Sequence, residues 1–191
     1  GFLKTWKKRD VTFPKEPATP KAGATKIYLV DKPDAAQSEI RLGYLALPFD
    51  ATGEYYKANL MNFNLGGNFN SRLTQKLREE KGWTYGSYTY FSGSEHVGPF
   101  IAGGAFKREA TDSSVVEFIK QFKNFAENGV TDEEMSFLKS SIGQKDALKY
   151  EAGYQKAGFL NTVLRFGLET NYTDKQTEIL NNLSKADVNA L

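Results

Sequence analysis

The sequence predicts an α+β protein, a layered sandwich whose mostly antiparallel sheet carries helices packed on one face. Strand-like runs cluster in residues 26–47 and 83–106, with only two short helical stretches between them. From residue 111 onward the apolar residues recur at helical spacing instead. Strands followed by helices, rather than a strict alternation, is the α+β pattern. At 191 residues and 40% hydrophobic composition, the chain carries enough apolar side chain to close a core beneath such a sheet.

Residues 1–23, with Pro14, Pro17 and Pro20 and no apolar period, read as a semi-extended linker and the end of a preceding segment. Residues 26–30 (Lys-Ile-Tyr-Leu-Val) and 39–47, which stop at Pro48, are expected to be neighbouring strands. A helix is predicted over 52–65, where Tyr56, Leu60 and Phe63 share a face, with Gly66-Gly67 as its C-terminal cap. A second, over about 70–81, aligns Leu73 with Leu77 and stops at Gly82.

The next strand places Trp83, Tyr85, Ser87, Thr89 and Phe91 on one face and Thr84, Gly86, Tyr88 and Tyr90 on the other. Residues 98–106 pair back across the turn that holds His96. Val115, Phe118, Ile119, Phe122, Phe125 and Ala126 then mark an amphipathic helix ended by Gly129. Thr131 with Glu134 forms a capping box for a helix to about Tyr150. A helical stretch runs through Leu160 and Leu164, and Thr173 opens another. Ser184 and Asp187 make a last cap signature, with about one turn left before Leu191. The domain is therefore expected over 24–191, truncated at its C-terminal end.

Composition removes several function classes. With 25 basic and 23 acidic side chains interleaved, the net charge of +2 leaves no basic stripe for nucleic acid. The absence of cysteine excludes disulfides, thiolate metal sites and a cysteine nucleophile. His96 is the single histidine, so the chain cannot build a motif such as His-x-x-Glu-His, and its polar turn reads as an exposed loop. No apolar run approaches the roughly 18 residues a membrane span needs. Lys7-Lys8-Arg9 reads as solvated linker, Tyr88 and Tyr90 as sheet surface, and Glu79-Glu80 as an exposed helix face.

The most distinctive stretch is Leu65-Gly66-Gly67-Asn68-Phe69-Asn70-Ser71-Arg72-Leu73, continuing through Leu77-Arg78-Glu79-Glu80-Lys81-Gly82-Trp83-Thr84-Tyr85. A glycine pair before a helix can expose N–H groups to an anion or can simply cap the preceding helix. Its spacing matches neither nucleotide-binding glycine motif. Arg78 can serve the helix dipole and Tyr85 the sheet surface. Alternatively, the guanidinium holds a peptide carbonyl while the phenol donates to the oxyanion of a tetrahedral intermediate. On the residues alone the structural reading is favoured over the functional one.

The stretch from Leu65 to Tyr85 resembles the C-terminal half-domain of the pitrilysin/insulinase family of zinc peptidases, the inverzincins, which includes processing-peptidase-like bacterial zinc proteases. The resemblance rests on Gly66-Gly67, Ser71-Arg72-Leu73, Leu77-Arg78-Glu79, Lys81-Gly82 and the interval from Arg78 to Tyr85. It implies a metallopeptidase half-domain in which Arg78 and Tyr85 are catalytic and Gly66, Gly67, Asn68 and Phe69, with the strand from Trp83, contact substrate. It further implies that zinc is bound by residues outside this chain, in a homologous zinc-bearing half-domain on the same chain or a separate subunit. The substrate would be a short or unfolded peptide added as a strand, and the location the cell envelope or periplasm of a bacterium. By itself the chain is then expected to bind no metal and cleave nothing. The alternative that the resemblance carries is a non-proteolytic assembly protein of the same fold.

Overall fold

In the computed structural model, strands β1 (Gln37–Leu45), β2 (Thr84–Phe91) and β3 (Pro99–Lys107) form one antiparallel sheet in the order β1-β3-β2. The model describes residues 2–5, 7, 9–12, 15, 18–21, 23–147 and 150–191. β2 and β3 are the hairpin expected from their alternation, and the turn between them leaves His96 exposed. β1 lies against the far side of β3, with Ile40 opposite Gly104 and Leu42 opposite Ala102.

The inward positions of this sheet supply the core. Ile40, Phe91, Phe100, Ala102 and Phe106 are buried against Leu60, Phe63, Leu73, Leu77 and Phe118. These last five come from α1 (Glu54–Leu65), the helical unit of α2 (Arg72–Thr74) with its π-helical continuation Gln75–Glu80, and α3 (Thr111–Asn128). Phe106 meets Phe118 edge-on at 5.6 Å, the aromatic geometry that the ring quadrupole favours. The helices thus occupy the face that the sequence assigns to them.

α4 (Asp132–Ala147) opens with the expected capping box: Glu134 N–H donates to Thr131 Oγ1 at 3.2 Å, and Thr131 N–H donates to Glu134 Oε2 at 2.8 Å. α5 (Gly153–Phe166), α6 (Tyr172–Asn182) and α7 (Lys185–Asn189) follow. α5 buries no residue; it is held by Phe166 stacked on Phe49 at 4.0 Å and by Arg165 paired with Glu95. Ser184 caps α7 by accepting from Asp187 N–H. Val130 N–H donates to Asn189 Oδ1 at 2.9 Å, which ties α7 to the turn after α3.

Four expectations are corrected. Residues 26–30 form no strand, and Ile27, Tyr28, Leu29 and Val30 are 82–91% exposed. β propensity reflects a fit to a paired, half-buried surface, and this run has no paired neighbour. The described sheet accordingly has three strands rather than four. β2 does not alternate throughout: the register slips between Thr84 and Ser87, a bulge that buries Thr84 and turns Tyr85 outward. α6 starts one turn position before Thr173, with Asn171 at its N-cap position. Of the linker, Trp6, Lys8, Pro14 and Pro17 lie outside the described residues, whereas Lys7 and Arg9 are exposed. The predicted end of α4 near Tyr150 crosses residues 148 and 149, also outside them, and Tyr150 itself sits in a turn.

Candidate functional site

The segment from Arg72 to Tyr85 is anchored at its start. Arg72 donates through Nε and Nη2 to the two carboxylate oxygens of Glu134, both at 2.6 Å, and through Nη2 to Gly129 O at 2.6 Å. Its guanidinium also lies 4.8 Å from the Phe125 ring centroid. This planar fork fixes the helix start to the α3–α4 turn. Leu73 and Leu77, both fully buried, fix its inner face.

Around Arg78 the helix widens. Lys81 N–H donates to Lys76 O at 3.1 Å, five residues back, in place of a regular α-helical bond. Such π-helical turns are common where a side chain must be re-aimed. Gly82 then reverses the chain with φ of 61°; its N–H donates to Arg78 O and Trp83 N–H donates to Leu77 O, both at 3.0 Å. That left-handed backbone costs an L-residue roughly 1–2 kcal/mol, and glycine nothing.

Past the turn, Thr84 pins the bulge. Its hydroxyl accepts from Gly86 N–H at 3.0 Å and sits 2.8 Å from Gly86 O and 2.6 Å from Ala105 O, to one of which it donates. Tyr85 is therefore displayed at 88% exposure rather than laid against the core. A bulge of this kind re-aims a side chain at the rim of a sheet.

On the helix side of Gly82, the Arg78 guanidinium lies 4.5 Å from the Phe69 ring centroid, with Nε 3.3 Å from Glu79 Oε1. Arg78 is half-buried by this stacking, while Phe69 keeps 59% of its surface exposed. Lys76 and Glu80 pair one turn apart, and that hydrogen bond lowers the Glu80 carboxyl and raises the Lys76 amine from their ordinary values.

The loop before this unit is held by β2. Gly66 and Gly67 N–H both donate to Asn62 O, at 3.1 and 2.9 Å, so the glycine pair caps α1. Gly66 O accepts from Thr89 N–H at 3.1 Å, while Asn62 Nδ2 donates to Thr89 O at 2.9 Å and the Thr89 hydroxyl donates to Asn62 Oδ1 at 2.5 Å. Gly66 has no room for a side chain because Thr89 occupies that space. Asn68 bonds Phe63 O through its amide and accepts from Asn70 N–H at 2.7 Å, leaving Phe69 at the loop's outer rim.

The structure thus brings Phe69 onto Arg78 and sets Tyr85 across the Gly82 turn from them. Arg78 and Tyr85 make no bond to each other among the described residues. Sequence reasoning singled out neither Thr84 nor Arg72 as supports. The cue for Thr84 was available, because an isolated glycine inside a strand pattern, here Gly86, signals a bulge. The partners of Arg72 are 57 and 62 residues away and carried no local cue.

A zinc ion does not fit the residues present. Among the described residues no three His, Asp or Glu side chains are grouped to hold a metal, and His96, the single histidine, lies in an exposed turn. No helix among them is long and apolar enough to cross a membrane.

Comparison with known proteins places the chain in a family. Residues 1–142 match the family described as the peptidase M16 inactive domain. The chain is 27% identical over 150 residues to the non-peptidase homolog YmxG of Helicobacter pylori, covering 76% of this chain and 34% of the relative. It is 30% identical over 138 residues to an uncharacterized zinc protease of Streptomyces coelicolor, covering 68% and 28%. The chain therefore spans about a third of the length of these relatives. Its fold is similar to the peptidase M16 inactive domain from Pseudomonas fluorescens, with a TM-score of 0.73 and 24% identity, over 82% of this chain and 37% of that one. It is also similar to the periplasmic protease PqqL from Escherichia coli, with a TM-score of 0.62 and 12% identity, over 82% and 17%. With residues 1–142, most of its length, matched, this chain belongs to the peptidase M16 inactive-domain family.

Proposed function

We propose that the chain is the substrate-contacting half of a zinc metalloendopeptidase acting on short or unfolded peptides. The observation that carries this reading is the junction at Gly82, which holds Arg78 against Phe69 on one side and turns Tyr85 out of the sheet on the other. A buried structural arginine or a surface tyrosine needs neither the π-helical turn nor the bulge.

In this role Arg78 donates to a peptide carbonyl, and its stacking on Phe69 restricts the guanidinium before substrate arrives. The Tyr85 phenol, displayed by the bulge, donates to the oxyanion that develops during attack on the scissile carbonyl. Phe69 and Asn68 line the peptide path, and Gly67 with the buried Gly66 lets the loop lie close to β2. A homologous half-domain, on the same polypeptide or a partner subunit, supplies the zinc and the activated water. A bacterial cell-envelope location is part of the proposal, supported by the likeness to a periplasmic protease.

Steady-state cleavage of an unfolded peptide by the intact protein tests this. Tyr85→Phe should lower kcat by about 100-fold, the usual cost of one oxyanion donor, at unchanged zinc content. Arg78→Ala should also raise KM. Unchanged kinetics in both variants would contradict the assignment. A second reading, a non-proteolytic assembly protein, is favoured by the relative described as a non-peptidase homolog. It predicts an intact protein that binds no zinc and cleaves nothing.

A further inference from the structure

The bulge in β2 does more than expose Tyr85. Thr84 stands opposite Phe106 and Ser87 opposite Gly104, so Tyr85 and Gly86 together face Ala105 alone. Thr84 and Thr89 are then both buried on the core side, although five residues separate them and regular alternation would put them on opposite faces. The extra residue moves Tyr85 onto the outer face of the sheet, into the same row as Tyr88 and Tyr90. Beside this row stand Ile101, Gly103 and Ala105 of β3, with Arg41 of β1 beyond Gly103.

Same-face neighbours along a strand are about 7 Å apart, and an extended peptide repeats at the same interval. A peptide that runs along β2 with its scissile carbonyl at the Tyr85 phenol therefore brings the side chains two and four residues away over Tyr88 and Tyr90. Those two rings lie 5.8 Å apart, tilted by 35°, within the separation that aromatic pairs favour. We infer, on the reading of Tyr85 as a substrate contact, that Tyr88 and Tyr90 form a side-chain subsite. It selects an aromatic residue two or four positions from the bond to be cut.

Packing within the sheet explains only part of this row. The Tyr88 hydroxyl lies 3.3 Å from the place a Cβ on Gly103 would take, so Tyr88 covers that glycine and has a structural use. Tyr90 at 43% exposure and Tyr85 at 88% have no such cover to provide. Continuity with the junction at Gly82 favours a substrate peptide as the occupant, because the row starts at Tyr85 and leads away from it along β2. Gly86, where a Cβ would meet nothing within 4 Å, leaves the way from Tyr85 to Tyr88 open. A phenol ring offers an apolar face and a polar tip, so a substrate ring can pack on Tyr90 while the peptide backbone stays solvated.

Fluorescence anisotropy with the intact protein in EDTA, where nothing is cut, measures the selection as binding. The probes are fluorescein-labelled unfolded peptides of alanine, serine and lysine that differ only in one central residue, phenylalanine or alanine. The phenylalanine peptide should bind about tenfold more tightly. Tyr90→Ala should reduce that preference to about twofold or less, and Tyr90→Phe, which keeps the ring, should preserve it. Equal affinity of the two peptides for the parent protein, or a preference untouched by Tyr90→Ala, would overturn the inference. So would self-association of the parent that Tyr90→Ala abolishes, because a second copy would then cover this face. The subsite and the catalytic reading fail separately. Selective binding by a protein that cleaves nothing when loaded with zinc supports the subsite and counts only against catalysis. Cleavage that Tyr85→Phe slows but that is indifferent to the central residue overturns the subsite alone.

Discussion

The Arg78 guanidinium rests 4.5 Å from the centre of the Phe69 ring, joining the loop after α1 to the helix that leads into β2. Neither residue is buried, so the contact fixes direction more than it stabilises the fold. Cation–π contacts at exposed sites are worth about 0.5–1 kcal/mol. Phe69→Ala should therefore leave thermal stability almost unchanged while freeing Arg78. In peptide cleavage by the intact protein, KM should rise about two- to fivefold with kcat less affected. Phe69→Tyr, which keeps the ring, should restore the parent KM.

Thr84 holds the shape that exposes Tyr85. Replacing its hydroxyl by a methyl in Thr84→Val leaves Gly86 N–H without its acceptor. The cost should be about 1–3 kcal/mol in urea unfolding, and Thr84→Ser should lose far less. In the same comparison, Tyr85 fluorescence quenching by iodide should decrease for the valine variant if the strand slips into regular alternation.

Gly82 tests backbone strain without steric interference. An added Cβ would meet nothing within 4 Å, so Gly82→Ala probes only the positive φ. Chemical denaturation should show a loss of about 1 kcal/mol, with Gly82→Asn intermediate because asparagine tolerates this conformation. Equal stability of alanine and glycine would show that the turn relaxes.

The Glu95–Arg165 pair gives the docking of α5 a pH dependence. The Arg165 guanidinium, hydrogen-bonded at 2.7 and 2.8 Å, holds the Glu95 carboxyl at about 2, below its ordinary 4.5. A depressed carboxyl contributes stability above the unfolded value, and that contribution fades as pH falls from 4.5 toward 2. Amide exchange of α5 should accelerate over that window, and Glu95→Gln should flatten the dependence. The pair is exposed, so added salt should weaken it.

The elements legible in the sequence were those with local rules. Apolar spacing located α1 and α3, and Thr131 with Glu134, like Ser184 with Asp187, marked helix starts that the structure confirms. The β2–β3 hairpin followed from alternation. Residues 26–30 misled because propensity names a preferred neighbourhood rather than guaranteeing one. The Tyr85 side was misassigned because a bulge changes parity midway along a strand, and only Gly86 hinted at it. At the site, the motif marked Arg78, Phe69 and Tyr85 as worth attention. The stacking of Arg78 on Phe69 and the grip of Arg72 on Glu134 arise from tertiary packing, which no local pattern encodes.

Contact between this junction and a bound peptide is the central claim, and a photo-crosslink tests it most directly. With p-benzoylphenylalanine replacing Tyr85 in the intact protein, irradiation in the presence of an unfolded peptide should join the peptide to position 85. An excess of unlabelled peptide should abolish the product. Crosslinking of position 85 only to other protein segments, with none to peptide, would contradict the account and point to an assembly surface.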